Sequence, residues 1–166
     1  MQLNHYSTKF TKHIFPITLV SENVTNAPNI GSLFRIADAF GIEKLILCGD
    51  NIALGRKTAK TSRATEKVVH YEIQESATEI VKSLKNKGYQ IISLEITANS
   101  KSVHNFKFLK NQPIALVIGD ENFGISESIL NSSDQIVHID MYGQNSSMNV
   151  VQATNIALYE ITKQIL

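Results

Sequence analysis

The chain has 166 residues, room for one hydrophobic core and too few for two independent ones. Hydrophobic residues make up 43% and charged residues 19%, which excludes a disordered chain, and no apolar run approaches the ~20 residues of a membrane helix. The formal net charge of +1 does not announce a nucleic-acid binder, and the single cysteine, Cys48, excludes an internal disulfide framework.

In chain order, residues 1–15 carry Lys9 and Lys12 and lack the apolar stretch of a signal peptide, so a soluble, cytoplasmic domain over 1–166 with a short N-terminal segment is expected. Pro16 opens the apolar run Ile17 to Val20, a strand start, since proline is tolerated at the first residue of a strand. Asn29 reads as the N-cap of a first helix, with Ile30, Leu33, Phe34, Ala37 and Phe40 at helical spacing and Gly41 as its terminator. Strands follow at 44–48 and 68–71, separated by a basic stretch. Ser76 and Glu79 have the spacing of a capping box for a second helix that stops at Gly88. A strand at 91–96, another opened by Pro113 over 114–118, a short helical segment with Ile125, Ile129 and Leu130, and a strand at 135–139 come next. The last helix, from about Ser147, has two apolar faces: Met148, Val151, Leu158 and Ile165 on one, Val150, Ala153, Ala157 and Ile161 on the other. Two faces need two partners, its own sheet and a second subunit. About six strands alternating with helices predict an α/β fold, a mainly parallel sheet with helices on both faces.

Familiar signatures are missing. There is no Gly-x-Gly-x-x-Gly, no His-Glu-x-x-His and no Gly-x-Ser-x-Gly, and five residues rather than four separate Gly49 from Gly55, which spoils a phosphate-binding loop. The five histidines are too scattered to propose a metal site.

Three segments carry polar groups at strand ends, where open α/β sheets bind ligands. The first holds Asn29 and Arg35; Gly31 and Ser32 share the face of Arg35 and leave room for a substrate, although an Arg35–Asp38 pair on a solvated face is the plainer alternative. The second breaks an apolar strand at Gly119 and turns through Glu121 to Gly124; Glu121 is also suited to the first turn of the following helix. The third runs from Ile139 through Gly143 to Ser147 and Asn149, with Ser147 equally a simple N-cap.

Their order and spacing resemble the three motifs of the SPOUT superfamily, in particular the TrmH (SpoU) family of RNA ribose 2′-O-methyltransferases. The first motif is matched by Asn29, Arg35 and the Ala-Asp-Ala-x-Gly ending at Gly41, the second by Leu116 to Glu121 and Gly124, the third by Ile139-x-Met-x-Gly143 and Ser147-Met-Asn149-Val. Asp140 stands where the third motif usually has proline, and Met148 where it often has leucine.

The resemblance implies a deep C-terminal trefoil knot, a homodimer built on the first and last helices, and S-adenosylmethionine held mainly by backbone groups at Leu94, Gly119, Ile139 and Met148. It implies Arg35 as the catalytic residue for a ribose 2′-hydroxyl, with Asn29, Glu121, Ser147 and Asn149 positioning the reactants. Arginine stays protonated in proteins, so binding of the adjacent phosphate and hydroxyl suits Arg35 better than the part of a base. Arg56, Lys57, Lys60, Arg63 and Lys67 form a local basic stretch that fits an RNA backbone, or else a solvated loop. Transfer RNA and ribosomal RNA are both open as substrates. A catalytically silent RNA-binding homologue and a base-nitrogen methyltransferase are the competing readings.

Overall fold

In the computed structural model, which describes residues 8–166, seven strands alternate with five helices. The strands are β1 (Phe15–Glu22), β2 (Ile42–Cys48), β3 (Tyr71–Gln74), β4 (Gln90–Leu94), β5 (Lys101–Ser102), β6 (Ile114–Gly119) and β7 (Gln135–His138). The helices are α1 (Ala27–Ala39), α2 (Arg56–Ser62), α3 (Ala77–Asn86), α4 (Glu127–Ser132) and α5 (Val150–Ile165). One sheet holds all the strands, in the order β3-β2-β1-β6-β4-β7-β5, and every pairing is parallel.

The apolar runs are nearly continuous because both faces of the sheet are covered. Successive residues serve opposite layers: Leu45 and Leu47 join the core under α1 and α5, whereas Ile46 and Cys48 join the core under α3 and α4. In β6 the same division separates Leu116 and Ile118 from Ala115 and Val117. From β1 the chain steps outward to β2 and β3, then returns on the other side to β4, with β6 inserted beside β1. That reversal makes a switch point where Glu22 pairs with Gly119, and a crevice opens beyond the strand ends.

Several expectations are corrected. The sheet has seven strands; β5, a two-residue edge strand, is too short to leave a periodic signal. The third strand starts at Tyr71 because residues 65–67 form a 3-10 turn and Val68 is exposed. The basic stretch is partly a helix, α2, whose buried residues are Thr58 and Ser62 and which therefore shows no apolar stripe. Asn26, not Asn29, caps α1, accepting from the Asn29 backbone N–H at 3.2 Å, and Pro28 follows in the first turn, where proline is tolerated. Ser76 caps α3 as expected. α5 starts at Val150 with Asn149, not Ser147, as its cap. Leu158, grouped by periodicity with Met148, Val151 and Ile165, is fully buried in the chain's own core.

α2 lies hard against α1. A Cβ on Gly31 would sit 2.6 Å from the Thr58 carbonyl oxygen and 2.7 Å from Thr61 Cβ. The space beside Arg35 expected to admit a substrate is thus filled at Gly31 by the second helix. No helix among the described residues is long and apolar enough to cross a membrane.

Candidate active site

A cavity of about 480 Å³ opens beyond the C-terminal ends of β4, β6 and β7. Leu94, Gly119, Ile139 and Met148, expected to hold a cofactor, all line it, as do Glu121 and Ser147. Gly119 is required by close approach: a Cβ there would lie 2.3 Å from the Gly124 carbonyl carbon and 2.6 Å from the Ile125 nitrogen. The turn that folds back so tightly is closed by Gly124 N–H donating to the Asp120 carbonyl at 2.8 Å. Its side chain accepts from the Asn122 and Phe123 N–H groups at 2.9 and 3.2 Å.

The cavity wall is acidic. Glu95, Asp120 and Glu121 line it, with no lysine or arginine among the lining residues. Glu95 stands one residue past β4, where a carboxylate at a strand end is itself a signal that sequence reasoning passed over. Its side chain accepts from Ile125 N–H at 3.1 Å and from Ile96 N–H at 2.9 Å, joining two walls of the cavity. Behind the site, buried Glu22 accepts from Ser126 N–H at 2.8 Å. Burial, and secondly Glu22, push the Cys48 thiol up to about 12, so Cys48 is a core residue and no nucleophile.

Asn29, Glu121 and Asn149 meet. Asn149 Nδ2 donates to Asn29 Oδ1 at 3.2 Å and makes a tight contact with Glu121 Oε1, which also accepts from Val150 N–H at 3.2 Å. Asn149 Oδ1 meanwhile caps α5 through Val151 N–H at 3.0 Å. Glu121 does face a helix N-terminus, but that of α5 rather than of the following α4. Because Asn26 caps α1, the Asn29 side chain is left free for this contact.

Arg35 is not brought to the cavity. It is exposed, does not line the cavity and makes no ion pair among the described residues, so the Asp38 pairing is absent. One turn beyond Gly31, it lies on the side of α1 that carries α2. Arg56, Lys57, Lys60 and Arg63 on and just after α2, and Lys67 beyond, are likewise exposed.

Residues 16–159 match the model of the SpoU rRNA Methylase family. The chain belongs to this family. Among curated members, the tRNA (guanosine(18)-2′-O)-methyltransferase of Aquifex aeolicus is 28% identical over 148 residues, covering 89% of this chain and 69% of that protein. The 23S rRNA (guanosine-2′-O-)-methyltransferase RlmB of Blochmanniella floridana is 30% identical over 158 residues, 94% of this chain and 61% of that protein. The chain thus spans about three fifths of the length of this RlmB relative. The A. aeolicus TrmH/SpoU tRNA modifying enzyme superposes with a TM-score of 0.80 at 28% identity, covering 90% of this chain and 75% of that one. The SpoU methyltransferase AviRb of Streptomyces viridochromogenes, solved in complex with AdoMet, gives 0.79 at 27% identity, with 90% and 60% covered. The parallel α/β sheet is thus that of SpoU proteins, and the acidic cavity is the feature of this member that limits what it can hold. Carboxylates and backbone groups over apolar walls suit a cationic nucleoside such as S-adenosylmethionine, and disfavour a phosphate.

Proposed function

We propose that the protein is an S-adenosylmethionine-dependent RNA methyltransferase that modifies a ribose 2′-hydroxyl of transfer or ribosomal RNA, acting in the cytoplasm as a homodimer with a knotted C-terminal segment. The observation that carries this reading is the meeting of Asn29, Glu121 and Asn149 beside an acidic cavity lined by Leu94, Gly119, Ile139 and Met148, in a SpoU chain. The names of the Aquifex and Blochmanniella relatives support the reaction, and the AviRb complex supports the cofactor. The knot is supported by β7, which lies between β4 and β5 although the chain joins those two before it reaches β7.

When bound, S-adenosylmethionine supplies a methyl group already activated by its positive sulfur. The chain's part is alignment and charge. Backbone groups at Gly119, Ile139 and Met148 hold the nucleoside, and the Glu95, Asp120 and Glu121 carboxylates favour its cationic groups. Asn29, Ser147 and Asn149 orient the ribose. Arg35, always charged, binds the neighbouring phosphate and hydroxyl and stabilises negative charge as it develops on the 2′-oxygen, whose proton passes to solvent water. Arg35 stands away from the cavity of its own chain, so in this reading a second copy supplies it.

The test is transfer of labelled methyl groups to total RNA followed by nucleoside analysis, with Arg35→Lys alongside. A 2′-O-methylated nucleoside is expected, with kcat in the variant down by roughly 100-fold and RNA affinity little changed. A base-methylated product, or RNA binding without any transfer, overturns the reading.

A further inference from the structure

The edge of the sheet beside the cavity is short. β5 pairs with β7 through Lys101 and Ser102, opposite Val137 and His138, and the Glu95 and Val103 N–H groups donate to the Val137 and His138 carbonyls at 2.9 Å each. Yet the segment leading into β5, Leu94 to Thr97, forms one wall of the cavity, and His138, Ile139 and Met141 form another. Between Glu95 and Lys101, residues 96–100 make no backbone hydrogen bond to β7.

Side chains reinforce this edge. Asp140, between the wall residues Ile139 and Met141, accepts a short hydrogen bond from Ser102 Oγ, and its Oδ1 lies 3.3 Å from His138 Nε2. The other ring nitrogen, Nδ1, is 2.9 Å from Ser100 Oγ. Ser100 Oγ in turn accepts from Thr97 N–H at 3.0 Å and donates to the Thr97 carbonyl at 2.8 Å. With the Ser100 hydrogen committed to Thr97, His138 Nδ1 is the donor in their contact. The Ser102 hydroxyl, more than His138, holds the Asp140 carboxyl below the usual carboxylate range.

We infer that Asp140 is a positioning residue that, through Ser102, His138 and Ser100, clasps the 94–102 segment to the end of β7 and so presets the spacing of the cofactor cavity. The inference rests on the cofactor reading given above. Asp140 does not itself line the cavity; it acts on Thr97, His138 and Ile139, which do. The contact runs from a carboxylate through a ring to a hydroxyl, but Ser100 is closed into its own turn with Thr97, so the set is a fastening and no nucleophile.

The experiment measures S-adenosylmethionine binding to the full chain by calorimetry, with KM for cofactor and for RNA, in the wild type, Asp140→Ala, Asp140→Asn and Ser102→Ala. Asp140→Ala is expected to weaken cofactor binding about tenfold, as loss of a charge-assisted hydrogen bond would, with KM for RNA unchanged. Asp140→Asn, whose amide can accept from Ser102 and donate to His138, should stay within about twofold of the wild type, and Ser102→Ala should fall between. Asp140→Ala binding like the wild type overturns the clasp, as does Asp140→Asn failing as badly as Asp140→Ala. Loss of melting temperature alone, with cofactor affinity intact, also overturns it. Should Asp140→Ala not fold, Ser102→Ala decides by the same criterion. A wild-type chain that binds no S-adenosylmethionine overturns the cofactor reading itself, a failure distinct from that of the clasp alone.

Discussion

Gly31 shows how one hydrogen in place of a methyl group sets the spacing of two helices. The atoms a Cβ would meet are the Thr58 carbonyl oxygen, Thr61 Cβ and the Ser62 nitrogen, all within 2.9 Å and mostly backbone, so nothing flexible can give way. Gly31→Ala should therefore cost about 1–3 kcal/mol, as overpacking does, measured as a lower urea midpoint at unchanged m-value. Retained stability would show that α2 can move off α1. At this scale the sequence was legible in residue type but not always in partner. Asn29 has the chemistry of a cap, and only the rival Asn26 three residues earlier, with Pro28 between, shows why it is released to meet Asn149 across 120 residues. Asp140 was visible as a departure from the motif, whereas its partners Ser102 and His138 lie on strands whose neighbourhood no spacing announces.

At the scale of elements, the long apolar runs were legible because both of their faces are buried, and β1, β2, β4, β6 and β7 stand close to where those runs fall. α2 and β5 were not, for a physical reason: each is short and held by neighbours. α2 buries Thr58 and Ser62, sets half-buried Thr61 against Gly31, and gives Arg56, Lys57, Ala59 and Lys60 to solvent. That arrangement is a cationic ridge carried on a helix and anchored through Gly31, which fixes the spacing of the charges better than a loop would. Replacing Lys57, Lys60 and Arg63 together by serine should weaken RNA binding and reduce the slope of log affinity against log salt by up to about 2, from roughly 0.7 per phosphate contact on single strands. Cofactor affinity should not move, since none of the three lines the cavity. An unchanged salt slope would remove α2 from the RNA path.

For the whole molecule, the net charge of +1 is a sum over two regions of opposite sign. Glu95, Asp120 and Glu121 surround the cavity, while Arg35 and the cations of α2 lie together on the other side of α1 from the Asn29 contact. Arg35 follows Asn29 by six positions, about 9 Å along the helix and some 120° around it, so one chain does not present both to a single small substrate. The proposed dimer, paired through α1 and α5, requires that the Arg35 of one copy reach the cavity of the other. That arrangement makes a prediction about mixtures. Arg35→Ala keeps an intact cavity, Asn149→Ala keeps an intact Arg35, and each variant alone should be nearly inactive. Unfolded together and refolded at equal amounts, half of the dimers would be mixed, and each mixed dimer would hold one complete site. Activity should then recover to about a quarter of the wild-type value, the share that random pairing allows for two sites per dimer. If Arg35 instead served its own chain, every site in the mixture would lack one of the two residues and the mixture would stay as inactive as its parts.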